Sequence, residues 1–227
     1  MKKLFFVSLC CLCISACNDT NKTPNAEETL ALDDTLTTAE AIAERHGIRH
    51  WDSIQQLEFT FNVARDTSHF ERSWRWYPKK EEVTLVTSKD SITYSRKALD
   101  STLLRTDAAF INDSYWLLAP FKLVWDDGIE FSEEESVVAP ISKDTLHRLT
   151  ITYVGDGGYT PGDAYDFYYD DRFTVREWVF RKGNDSVPSM ITTWKSYENV
   201  EGLMLATVHT DSLRKFKLYF TDVSAKK

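Results

Sequence analysis

The side chains with the most distinctive chemistry sit at the very start of this chain of 227 residues. All four cysteines, Cys10, Cys11, Cys13 and Cys17, fall in its first seventeen positions. Cys17 closes the run Ile14-Ser15-Ala16-Cys17, in which a branched apolar residue and two small ones precede a thiol. This looks like a bacterial lipobox. Small residues let a peptidase reach the bond, and the thiol accepts a diacylglycerol to become the lipidated N-terminus. Cleavage before Cys17 leaves the mature chain one cysteine, and that one carries lipid. A disulfide, a thiolate metal site and a cysteine nucleophile are thereby excluded.

Histidines offer little to a metal. His46 and His50 have the spacing of a helical zinc pair, but Gly47 stands where a zinc protease needs its glutamate. His69, His147 and His209 are scattered, so no metal and no cofactor is expected. The acidic clusters Asp126-Asp127 and Glu133-Glu134-Glu135 and the loop 155–163 lack the alternating ligands of a calcium-binding helix-loop-helix. Paired carboxylates such as Asp163 and Asp166 would suit an envelope hydrolase only if held about 5–10 Å apart across a cleft. No nucleophile elbow and no phosphate-binding glycine loop is present. A non-enzymatic protein is therefore expected, with the hydrolase as the weakest alternative.

Arg72 and the aromatics carry more information. Alternation puts Phe70, Arg72, Trp74 and Trp76 on one strand face, and an arginine turned into an apolar groove needs an acceptor. That acceptor is a carboxylate, a backbone carbonyl or a ligand head group; otherwise the side chain snorkels to water at the rim. Aromatic residues make up 13% of the chain, more than a small core needs, and Tyr94, Trp116, Tyr168, Trp178, Phe180 and Trp194 extend the series. Such an excess either fills a large sheet core or lines a concave face that holds a lipid-like ligand. A last pattern is Asp-Ser/Thr-apolar, at 34–36, 52–54, 90–92, 144–146, 185–187 and 211–213. It is similar to an O-glycosylation tripeptide of some bacterial envelope proteins, although Asp-Ser turns occur without sugar.

The elements that must position these residues follow from pattern. Lys2, Lys3 and the apolar run Leu4–Ala16 read as a signal sequence, and no apolar run is long enough for a mature spanning helix. Residues 17–34 read as a lipidated cysteine and flexible tether, and 35–227 as one domain. Asn18, rather than Asp, follows the cysteine, which points to the outer membrane under the known envelope-sorting rule. A formal charge of −8 argues against nucleic acid as a partner. Thr37 and Glu40 form a capping box that starts a helix, with Gly47 able to end it. Period-two alternation then marks strands around 57–63, 70–76, 82–88, 91–97, 128–139, 145–154, 164–169, 173–181, 189–197, 203–210 and 214–222. Between them, 102–124 has helical or mixed spacing broken by Pro120, which reads as one or two short helices on the sheet. The expected fold is mainly β (α+β): a strongly curved antiparallel half-barrel of about ten or eleven strands, with an N-terminal helix and a short helical lid insert.

Over about 35–224, this order of elements resembles the lipoprotein-carrier (LolA/LolB-like) half-barrel superfamily, whose helices cover an apolar cavity. His46-Gly47 with Trp51, FINDSYWLLAPF at 110–121, GDAYDF at 162–167 and WVFRKGN at 178–184 resemble an uncharacterised family of envelope lipoproteins, a domain of unknown function. The resemblance implies an envelope lipoprotein that binds or transfers an acyl chain or other apolar ligand. Phe59, Phe61, Trp74 and Trp76 would line its cavity, Arg72 would meet the polar head or hold the lid, and Trp116, Leu117, Leu118 and Phe121 would form the lid. Its partners would be the membrane through Cys17, a lipid ligand, or another envelope protein. The alternative is an envelope scaffold or protein-interaction module with a filled core and no ligand.

Overall fold

A computed structural model describes residues 35–155 and 160–227. Residues 1–34, on which the expected signal sequence, lipidated Cys17 and tether fall, lie outside the described residues, as do 156–159. The capping box forms as expected: Glu40 N–H donates to the Thr37 hydroxyl, and Thr37 N–H donates to the Glu40 carboxylate at 2.8 Å. These bonds satisfy two of the amides that any helix start leaves open. Helix α1 (Thr38–Arg45) follows, and Gly47 ends it with φ +91°. A Cβ at Gly47 would stand 2.1 Å from the Gly202 carbonyl oxygen, so glycine is needed both for the backbone angle and for the close approach.

Among the described residues twelve strands follow, where eleven segments of alternation were expected. They are β1 (Gln56–Arg65), β2 (Ser68–Tyr77), β3 (Glu82–Val86), β4 (Ser91–Ser95), β5 (Ile129–Val138), β6 (Thr145–Tyr153), β7 (Ala164–Tyr169), β8 (Val175–Arg181), β9 (Met190–Thr193), β10 (Lys195–Val200), β11 (Leu203–Thr210) and β12 (Phe216–Lys226). The extra strand arises at Trp194, which divides the expected 189–197 strand in two. Its N–H pairs with the Arg176 carbonyl at 2.7 Å in one sheet, and the next residue, Lys195, pairs with Val208 in the other. The strands accordingly form two antiparallel sheets, one of seven in the order β10-β11-β12-β1-β2-β3-β4 and one of five in the order β5-β6-β7-β8-β9. Neither closes on itself.

The helical insert also differs from expectation. Residues Leu104–Trp125 form one continuous helix, α2, with Pro120 inside it. A proline removes one hydrogen bond and clashes with the preceding turn, at about 3 kcal/mol in an exposed helix. Here every residue from Trp116 to Phe121 is buried, and that packing outweighs the defect. Burial on all sides also removes the one-sided periodicity by which a surface helix is recognised. The α2 side chains touch both sheets. Phe110 meets the rings of Trp74 and Trp76, at 5.5 and 5.3 Å, and Trp116 meets Trp178 at 4.7 Å. The main hydrophobic core results, with Phe59, Trp74, Phe110, Phe121, Phe167 and Trp194 among its largest fully buried members, and Ala139, Tyr168 and Val179 form a small separate cluster.

Candidate functional site

Where α2 crosses the seven-stranded sheet, its two buried carboxylates each meet an arginine. Asp113 accepts from Arg72 Nε at 2.9 Å and from a terminal Arg72 nitrogen at 2.7 Å. The same carboxylate accepts from Trp74 Nε1 at 2.8 Å and from the Asn112 amide at 3.0 Å. One turn and a half earlier, Asp107 accepts from Arg96 Nε at 2.8 Å and from the Tyr94 hydroxyl at 3.1 Å. Of the acceptors open to Arg72 on sequence grounds, the structure thus supplies the carboxylate. The guanidinium also lies over the rings of Phe70 and Phe61, at 4.8 and 5.7 Å. Burial raises the Asp113 pKa, against the lowering effect of its Arg72, Trp74 and Asn112 donors. Asp113 had a signal in the sequence: it is a charge in the middle of an apolar helical stretch, with an inward arginine elsewhere in need of a partner.

The face assigned to a ligand is mostly filled by protein. Phe59 and Phe61 pack edge-on against Phe220, at 5.8 and 5.9 Å, and Trp74 is buried against Phe110. Leu117 and Phe121 of α2 are core residues as well. Open space lies instead along the flanks of α2. On the side of the five-stranded sheet is a cavity of about 300 Å³, lined by Ile111, Asn112, Tyr115 and Trp116 of α2 and by Tyr153, Tyr165, Trp178, Phe180 and Met190 of the sheet. On the other flank a groove of about 670 Å³ runs between α2 and Trp51, Trp76, Pro78 and Arg96. Ile111, Lys122 and Asp126 border both. Of the expected cavity and lid residues, Trp116 lines the first space and Trp76 and Leu118 the second.

Strand pairing builds the aromatic wall of the smaller cavity. Tyr165 stands opposite Phe180, and Trp178 lies one pair further along the same face, next to Phe167. Their rings follow one another with Tyr165–Phe180 at 5.1 Å and Tyr165–Trp178 at 5.5 Å. At the mouth, Asp126 accepts from the Tyr153 hydroxyl at 2.7 Å and from Lys122 at 3.1 Å, so its charge is neutralised locally. Burial pushes the Tyr165 pKa up to about 12 and raises those of Tyr115 and Tyr153, so these three hydroxyls stay protonated well above neutral pH. A ring-lined hollow of this size, with the Lys122–Asp126 ion pair at its mouth, falls at the lower end of the about 300–1,000 Å³ range of small-molecule sites. Tyr153, Tyr165 and Met190 were not singled out from sequence. Neighbouring residues of β7 are buried on both faces, which erases the alternation that marks an inward side chain.

The other candidate groups have structural employment. Burial pushes His46 down to about 4, and its Nδ1 lies 2.7 Å from the Ile42 carbonyl. Asp163 accepts from Gly183 N–H at 2.7 Å, and Asp166 accepts from Thr150 at 2.7 Å and from Arg181 at 2.9 Å. Among the described residues no group of three or more histidine and carboxylate side chains is placed to hold a metal, and no helix is long and apolar enough to cross a membrane.

No protein-family model and no curated protein matches the chain. Solved structures similar to it include a LolA superfamily protein from Nitrosomonas europaea, 12% identical, with a TM-score of 0.49 over 85% of this chain and 95% of that one. A DUF1329 family protein from Desulfovibrio piger is 9% identical, with a TM-score of 0.43 over 84% and 94%. A protein domain named for outer membrane lipoprotein sorting, from Vibrio parahaemolyticus, is 9% identical, with a TM-score of 0.47 over 83% and 94%.

Proposed function

We propose that this chain is a non-enzymatic, lipid-anchored protein of the bacterial outer membrane that binds or transfers an acyl chain or similar apolar ligand. In this reading residues 1–16 are a signal peptide, Cys17 carries the lipid, 17–34 are a tether, and 35–227 form one half-barrel domain. The observation that carries it is the aromatic-lined cavity of about 300 Å³ between α2 and the five-stranded sheet, whose charged groups are the paired Lys122 and Asp126. Each methylene placed there gains about 0.8 kcal/mol. Arg72 acts in this scheme by holding α2 against β2 through Asp113, and the ligand contacts fall to Trp116, Tyr165, Trp178, Phe180 and Met190.

The alternative, an envelope scaffold with a filled core, draws support from the close packing of Phe59, Phe61 and Trp74. Native mass spectrometry separates the two. The domain from Asp33 onward, so that its own anchor is absent, is exported behind a cleavable signal, purified and extracted with organic solvent. A stoichiometric lipid is expected, and Met190→Trp, which fills the cavity from its edge strand, should reduce it at least tenfold. A clean protein mass with no uptake of added lipid refutes ligand binding and leaves the scaffold.

A further inference from the structure

The Asp-Ser/Thr-apolar tripeptides play no part in the cavity, and the fold employs only some of them. All six hydroxyl-bearing residues, Thr35, Ser53, Ser91, Thr145, Ser186 and Ser212, are exposed. The structure then divides them. Ser53 donates its hydroxyl to the His50 carbonyl at 2.7 Å, and its apolar neighbour Ile54 is wholly buried, so that tripeptide serves the core. Ser91 and Thr145 begin strands and pair with Val86 and Val138. Ser186 and Ser212 belong to no strand: one lies in the loop between β8 and β9, the other in the turn between β11 and β12.

At these two loops the third residue is the anomaly. Leu213 and Val187 are the most exposed large apolar residues described, at 71% and 69%. Turn chemistry accounts for the aspartates. Asp185 accepts from Val187 N–H at 2.9 Å, and Asp211 from Phe216 N–H at 3.1 Å. It does not account for the aliphatic side chains, since turns favour glycine, proline and short polar residues. An exposed hydroxyl and an exposed aliphatic side chain directly after an aspartate make a surface that a modifying enzyme can read, and the same order recurs on two unrelated loops.

We propose that Ser186 and Ser212 are acceptors of O-linked sugar. In the transfer, the serine Oγ bonds to the anomeric carbon of a glycosyl diphosphate donor. The bond from that carbon to the diphosphate oxygen breaks, the diphosphate leaves, and the Oγ proton passes to a base of the transferase. Charge argues for sugar over phosphate. A phosphoryl group would add about −1.5 to −2 charges directly beside Asp185 or Asp211, on a chain whose formal charge is already −8. A neutral sugar adds none. This inference rests on the envelope address and is independent of any ligand in the cavity.

The test uses the full chain purified from its native envelope, with peptide mass spectrometry under fragmentation that leaves side-chain groups attached. The peptides holding Ser186 and Ser212 are expected to carry sugar-sized increments, each lost in Ser186→Ala or Ser212→Ala. Asp185→Asn keeps a side-chain oxygen for the Val187 amide and so keeps the turn, yet it should cut occupancy at Ser186 at least tenfold. Both peptides at their unmodified mass, a phosphate increment, or occupancy unchanged in Asp185→Asn overturns the proposal.

Discussion

Replacing Asp113 by alanine tests how α2 is held. The carboxylate is fully buried, while Arg72 keeps 27% of its side-chain surface exposed. Its loss strands the Trp74 indole N–H, 2% exposed as a residue, which costs about 1–3 kcal/mol for an unpaired buried donor. It also leaves a guanidinium without its counter-charge; breaking a buried ion pair costs about 3–5 kcal/mol in all. Because Arg72 can turn partly to water, the lower end applies, about 3 kcal/mol. With a urea slope of about 1–3 kcal/mol per molar, the unfolding midpoint should fall by about 1 M or more. The double variant Arg72→Met with Asp113→Leu removes both charges and fills the space with apolar atoms. It should lose less than Asp113→Ala, with the orphaned Trp74 N–H as its main remaining defect. Equilibrium urea unfolding of the single and double variants decides the matter. A midpoint shift below about 0.3 M in Asp113→Ala, or a double variant weaker than the single one, refutes this account of the pair.

Acid should unfold the protein through its buried imidazoles. Burial depresses His46 to about 4 and His209 to about 3, so the folded state stays neutral where the unfolded chain takes up protons. Their contribution is complete above about pH 6.5 and is lost as pH falls through the window down to those values; by pH 5 the pair should have removed about 4 kcal/mol. A urea midpoint that stays flat from pH 7 to 5 contradicts this, and His209→Leu should shrink the slope by about half. Gly47→Ala should lose about 3 kcal/mol or fail to fold, because its Cβ would collide with the Gly202 carbonyl at a positive φ. Normal thermal stability of that variant would show that α1 can end in another way.

Locally encoded features were legible before any fold was known. The capping box at Thr37 and Glu40 involves four consecutive residues, and the termination at Gly47 involves one backbone angle. The β1 alternation is equally local, since Leu57, Phe59 and Phe61 all reach the core. In β2 the pattern held only in part. Trp74 is buried, but Phe70 is exposed and stacks on Arg72, because the shared face runs past the end of the core. The division at Trp194 left no mark in the alternation, which continues across the residue where the chain changes sheets.

The sequence by itself determined the helix start, the strand parity, the acidic surface and the need of Arg72 for an acceptor, because each follows from residues close together in the chain. Tertiary structure decided the rest. Which carboxylate meets Arg72 depends on a partner 41 residues away. That α2 runs unbroken through Pro120 depends on packing that surrounds it, and where space remains open depends on how side chains from α2 and both sheets fill volume together. Those outcomes are set by contacts between distant segments, and periodicity along one segment carries no record of them.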